Sequence, residues 1–105
     1  MNRIDRSAIF LRPKDPFVTW VNATGDGGDP ITVQHISSDN PLYLVEPIES
    51  VEDLDLILDE LYPEIFEDQL DGWCTDKNLW PEERDRLMFH SWFEVVVCSE
   101  VSDLG

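Results

Sequence analysis

Four side chains of this 105-residue chain could ligate zinc or work as nucleophile and base: His35, Cys74, His90 and Cys98. They stand singly. Neither the Cys-x₂-Cys nor the His-x₃-His spacing that brings two ligands to one ion is present. Cys98 lies in a Val-rich run and is expected as a small buried apolar residue, and Cys74 falls near a helix end with no base in view. Asp26-Gly27-Gly28-Asp29 places two carboxylates on a Gly-rich stretch that could hold Ca²⁺ or Mg²⁺ weakly. It lacks the ligand series of an EF-hand, so a turn is its plainer meaning. A small enzyme or metal-dependent accessory protein built on Asp26–Asp29 with His35 or His90 is the alternative reading of the chain; no cofactor motif accompanies it.

Carboxylates dominate the remaining chemistry. The chain has 23 acidic and seven basic residues, a formal net charge of -16. Sixteen of the acids lie between Asp15 and Asp76, an interval without Lys or Arg, and elsewhere seven acids face seven bases, so the whole excess is central. Such a block repels nucleic acid and anionic membrane and attracts cations or basic partners. Direct nucleic-acid binding and membrane association are therefore not expected.

Within that block, Glu52, Asp55 and Asp59 fall on one helical stripe, and Glu60, Glu64, Glu67 and Asp71 on another at i, i+4, i+7 and i+11. A solvated outer face of an amphipathic helix accounts for most of this. It does not account for the missing Lys and Arg, because like charges one turn apart cost about 0.2–0.5 kcal/mol and opposite ones gain as much. A basic protein partner would account for it, either by simple docking or by the ridge imitating a row of phosphates. The leading expectation is thus a non-enzymatic interaction module using these seven carboxylates. Adaptation to high salt would also enrich acids, but it should spread them evenly.

The elements that must position these groups can be read from periodicity. Ala8-Ile9-Phe10-Leu11 suits a buried strand, and Asp15-Pro16 opens a helix to about Ala23 with Phe17, Trp20 and Val21 on one face. Ile31 to Ser38 reads as a short helix after the loop at Gly25–Pro30. Leu42-Tyr43-Leu44-Val45, between prolines, is a second strand. Ser50 with Asp53 approximates a capping box for a helix carrying Val51, Leu54, Leu58, Leu61 and Ile65 inward. Pro63 predicts a break there, with a second segment bearing Phe66, Leu70 and Trp73 and ending near Gly72. Pro81 predicts another helix start, running to about Trp92 with an aromatic face. Glu94 to Ser99 is the last strand, and Val101–Gly105 a tail. The expected fold is α+β: a small two-layer α/β sandwich, a three-stranded sheet with three to four helices in β-α-β-α-α-β order. Its first strand–helix–strand unit would be a right-handed parallel crossover if the two strands share a sheet.

The length fits one domain spanning residues 1–105, and 42% hydrophobic residues with four Trp and five Phe supply its core. Of the four Trp, Trp80 before Pro81 is the one expected to be partly exposed. The apolar run after the basic N-terminal residues is too short for a signal segment or a membrane span. A cytoplasmic protein with reduced thiols is expected, making the Asn22-Ala23-Thr24 sequon a chance match. A monomer, or a homodimer through an open sheet edge, is compatible with this.

Arg12-Pro13-Lys14-x-Pro16-Phe17-x-x-Trp20, Tyr43-Leu44-Val45, Ile65-Phe66-Glu67-x-x-Leu70-x-x-Trp73 and Trp80-Pro81 with Phe89-x-x-Trp92-Phe93 together span most of the chain. In these segments it resembles a family of small acidic bacterial proteins. The resemblance implies a bacterial cytosolic setting and lends no activity, cofactor or catalytic residue.

Overall fold

Ser7-Ala8-Ile9-Phe10-Leu11-Arg12-Pro13 forms the central strand of a three-stranded antiparallel sheet in the computed structural model, which describes residues 2–24 and 41–104. In chain order the described elements are β1 (Asn2–Ile4), β2 (Ser7–Pro13), α1 (Asp15–Thr24), β3 (Leu42–Val45), α2 (Val51–Trp73), a 3₁₀ turn (Lys77–Leu79), α3 (Arg86–Trp92), β4 (Phe93–Cys98) and β5 (Val101–Asp103). The fold is mixed α+β, as expected, with three helices and two small antiparallel sheets among the described residues. The anticipated helix over Ile31–Ser38 and the Gly25–Pro30 loop lie outside them.

The sheet order is β3-β2-β4. The register pairs Ile9 with Tyr43 and Val97, Leu11 with Val95, and Pro13 with Phe93. Since side chains alternate across a strand, these residues share the face that meets the helices, while Phe10, Leu42, Leu44, Glu94, Val96 and Cys98 share the other. Cys98 is consequently exposed rather than buried, a correction that parity explains.

β2 and β3 are antiparallel, so the parallel crossover does not occur. The handedness rule applies only to parallel strands of one sheet, and nothing in the residues of β2 or β3 themselves fixes their relative direction. A second difference is at the termini. β1 pairs with β5, so the supposed C-terminal tail is a strand that continues the β2–β4 ladder. Between Ile4↔Val101 and Ala8↔Cys98, three residues on one side oppose two on the other, which is a bulge. Buried Ser7 secures it: its hydroxyl donates to Ser99 O at 3.1 Å and accepts from Ile48 N at 2.8 Å.

Four fully buried phenylalanines join the layers. Phe17 of α1 lies 4.7 Å from Phe93 of β4 between ring centroids, Phe66 of α2 meets Phe93 edge-on at 5.7 Å, and Phe89 of α3 is 5.8 Å from Phe66. Tilted and edge-on contacts of this kind add to the area these rings bury. Trp80 is also buried, at 9% exposure, against the expectation. Its indole N–H donates to Cys74 O at 2.7 Å, and Lys77 and Arg84 lie 5.7 and 5.8 Å from its ring, which covers it.

Two helix boundaries also differ. α2 runs through Pro63 without a break. Pro63 is on the exposed side, where water can satisfy the carbonyl it leaves free, and Leu58 and Ile65 anchor the helix in the core before and after it. α3 begins at Arg86, not Pro81, because Asp85 is the better cap: its carboxylate accepts from Met88 N at 2.8 Å. Phe93, which directly follows the expected end of that helix at Trp92, is the first residue of β4.

Candidate functional site

The capping arrangement that starts α2 was legible in outline. Ser50 Oγ accepts from Asp53 N at 3.2 Å, and the Asp53 carboxylate accepts from Glu49 N at 3.1 Å, one residue earlier than a capping box would have it. From there the helix carries nine carboxylates and no Lys or Arg over 23 residues. Its inward face holds Leu58, Ile65, Phe66, Gln69 and Leu70, so the acids are confined to the remainder.

The structure divides the seven predicted site residues into two groups. Asp55 and Asp59 flank the helix beside α3, where Arg86 reaches them: the guanidinium is 2.7 Å from Asp55 Oδ1 and 3.8 Å from Asp59 Oδ1, and it also donates to Asp55 O at 3.3 Å. Glu67 pairs with Arg84 at 2.9 Å. Glu52, Glu60, Glu64 and Asp71 are exposed and have no ion pair with a described residue. The last three lie on the outermost line of the helix, and we call this line the crest. At 1.5 Å per residue, Glu60 to Asp71 spans about 16 Å.

Neighbouring Asp68 is used internally. It accepts from the Tyr43 hydroxyl at 2.6 Å, and that hydroxyl accepts from Gln69 Nε2 at 2.9 Å, tying α2 to the edge strand β3. Burial and the adjacent Asp68 carboxylate hold the Tyr43 phenol well above its ordinary pKa, so it remains a donor. Neither this network nor the two arginine clamps was foreseen. The signal available was that Arg84 and Arg86 are the first arginines after the acidic block, but nothing in the spacing says which carboxylates they reach.

His90 occupies a recess of about 370 Å³ between α2, α3 and β4, with Lys14, Asp55, Arg86 and Glu94 at its rim and Leu54, Leu58, Phe93 and Val95 beneath. His90 Nε2 accepts from Arg86 Nε at 3.3 Å, and Lys14 Nζ donates to His90 O at 2.6 Å. Burial, then the charges of Arg86 and Lys14, lower the imidazole pKa below its usual value, so the ring is neutral at pH 7 with its proton on Nδ1. The recess thus brings His90 to carboxylates, as the enzyme alternative requires. The lone pair that would serve as general base is, however, turned to a permanent cation. Asp26, Asp29 and His35 lie outside the described residues. Among those described, no three His, Cys, Asp or Glu side chains are grouped to hold a metal, and no helix is long and apolar enough to cross a membrane.

Comparison with protein-family models, with curated proteins and with solved structures found no match to this chain.

Proposed function

We propose that this is a non-enzymatic interaction module of the cytoplasm that presents the crest of α2 to a basic surface on another protein. The observation that carries the proposal is the placing of the chain's few cations. Arg84 and Arg86 pair with Glu67, Asp55 and Asp59, whereas Glu60 and Glu64 face each other one turn apart and Asp71 lies one turn from Glu67 and Asp68, the crest receiving no counter-charge from the described residues. That repulsion costs stability and has no structural return. A partner that supplies Lys or Arg would convert it into attraction and speed association.

Glu60→Gln, Glu64→Gln and Asp71→Asn together remove the crest charge and leave both arginine clamps intact. A native pull-down with wild type is expected to retain a basic protein that elutes as salt rises, and the triple variant should fail to retain it. Equal retention by both proteins would refute the proposal.

A further inference from the structure

The sheet ends on one side at β3, which is hydrogen-bonded to β2 and to no other strand among the described residues. In an antiparallel sheet successive residues turn their N–H and C=O groups to opposite neighbours, so two of the four residues of β3 offer theirs outwards. Beside this edge, β3 and α2 enclose a surface groove of about 400 Å³. Val45, Leu61 and Ile65 supply its apolar floor, and the exposed carboxylates of Glu64 and Asp68 stand at its rim. The Tyr43 hydroxyl donates to Asp68 at 2.6 Å and fixes the helix against the strand. A groove held in this way loses little freedom when it is filled.

Three features select the occupant. The first is the unpaired edge, which an extended segment completes and a helix cannot, because a helix has already paired its own N–H and C=O groups. The second is charge. Glu64 has no ion pair with a described residue, Asp68 meets the neutral hydroxyl of Tyr43, and no Lys or Arg among the described residues lines the groove. Arg84 and Arg86 are engaged at Glu67, Asp55 and Asp59. A lysine or arginine of the ligand can lay its stem on Leu61 and Ile65 and carry its charge to the two carboxylates at the rim.

The third feature is spacing. Glu64 and Asp68 are one turn apart, about 6 Å along α2, and side chains two apart on a strand are separated by about 6.7 Å, so basic residues at alternate positions match them. The ligand residues in between point to the other face of the sheet, beside Leu42 and Leu44, which are 57% and 55% exposed and favour aliphatic neighbours. A second copy of this chain would instead bring its own Glu64 and Asp68 to the same edge, where like charges oppose pairing. We infer that β3 is the docking edge for a strand of the partner protein that carries basic residues at alternate positions and aliphatic ones between them. The inference rests on the basic partner proposed above and names the form in which it binds; Glu64 is common to both, whereas the β3 backbone plays no part in docking by the crest alone.

The full chain labelled with ¹⁵N is titrated with a synthetic peptide of about eight residues whose centre is Lys-Val-Lys-Val-Lys. It should bind saturably, with the largest shifts at the amides of Leu42–Val45. Two further peptides keep the side chains and charge but are methylated on the backbone nitrogens of the lysines or of the valines. Only one alternate set faces β3, so one methylated peptide should bind at least about tenfold more weakly, the worth of two neutral hydrogen bonds, and the other about as well as the parent. Glu64→Gln, an exposed change, should weaken binding about threefold and flatten its salt dependence. Glu60→Gln with Asp71→Asn removes crest charge outside the groove and should leave peptide binding within about twofold of wild type. If that double variant also captures the basic protein as wild type does, strand addition holds and the crest reading fails. Equal binding of all three peptides would overturn strand addition and leave docking by charge alone. Absence of saturable binding, shifts confined to α2, or a dimer formed through β3 in place of the complex would each overturn it as well.

Discussion

The two sides of α2 carry the same residue types and meet different fates. On the flank beside α3, Asp55 and Asp59 lie within reach of Arg86, whose side chain is only 27% exposed. On the crest, Glu60, Glu64 and Asp71 have no cation from the described residues. A chain with seven basic residues has spent two of them where a helix must be docked, and none where a helix merely faces water. The difference separates carboxylates that build the fold from carboxylates whose repulsion the fold tolerates.

That separation can be broken by charge removal on either side, with opposite signs. Arg86→Ala deprives Asp55 and Asp59 of their partner and strips the arginine stem from the α2–α3 contact. It should lower unfolding stability by about 1 kcal/mol, a modest figure because both carboxylates are largely exposed. Urea denaturation of the purified variant checks this. Glu64→Gln removes like-charge contacts with Glu60, Glu67 and Asp68 one turn away, and should raise stability by about 0.5 kcal/mol in the same assay. Destabilisation by Glu64→Gln would mean that the crest carboxylates have structural partners after all.

The smallest expected effect is at His90, which sharpens the picture of the flank. Its pKa is lowered in the fold by burial, Arg86 and Lys14, with Asp55 opposing. The unfolded chain therefore binds more protons at this site, and its contribution to stability falls as pH drops below the unfolded value of about 6.5 towards the lower folded pKa. Between pH 7.5 and 5.5, wild type should lose more stability than His90→Gln, the difference between the two curves isolating this group from the carboxylates. Parallel curves would show that burial and the charges of Arg86 and Lys14 do not hold the imidazole neutral.

Much of this architecture could be read from the residues. The apolar steps from Leu54 to Ile65 and the Ser50 cap located α2, and the short apolar run Ala8–Leu11 and the β-branched run from Val95 to Val97 located β2 and β4. The carboxylate stripes were legible from the same helical period. What could not be read depends on pairing distant in sequence: the antiparallel direction of β3, the β1–β5 ribbon of two three-residue strands, and the clamps from Arg84 and Arg86. Pro63 misled because its local cost is outweighed by burial on either side of it, and Pro81 because Asp85 offers the stronger start. The partial exposure of Trp20 and Trp92 was hidden in a different way. Spacing places Trp20 and Trp92 on inward faces, yet only the assembled α1–α3 contact shows that both rings remain partly open.

The most direct test of the crest is the affinity of the captured basic partner, purified, for wild type and for the Glu60→Gln, Glu64→Gln, Asp71→Asn variant across a salt series. Wild-type affinity should fall steeply as salt rises, while the variant binds weakly with a shallow dependence. Identical affinities and identical salt slopes for the two proteins would contradict it.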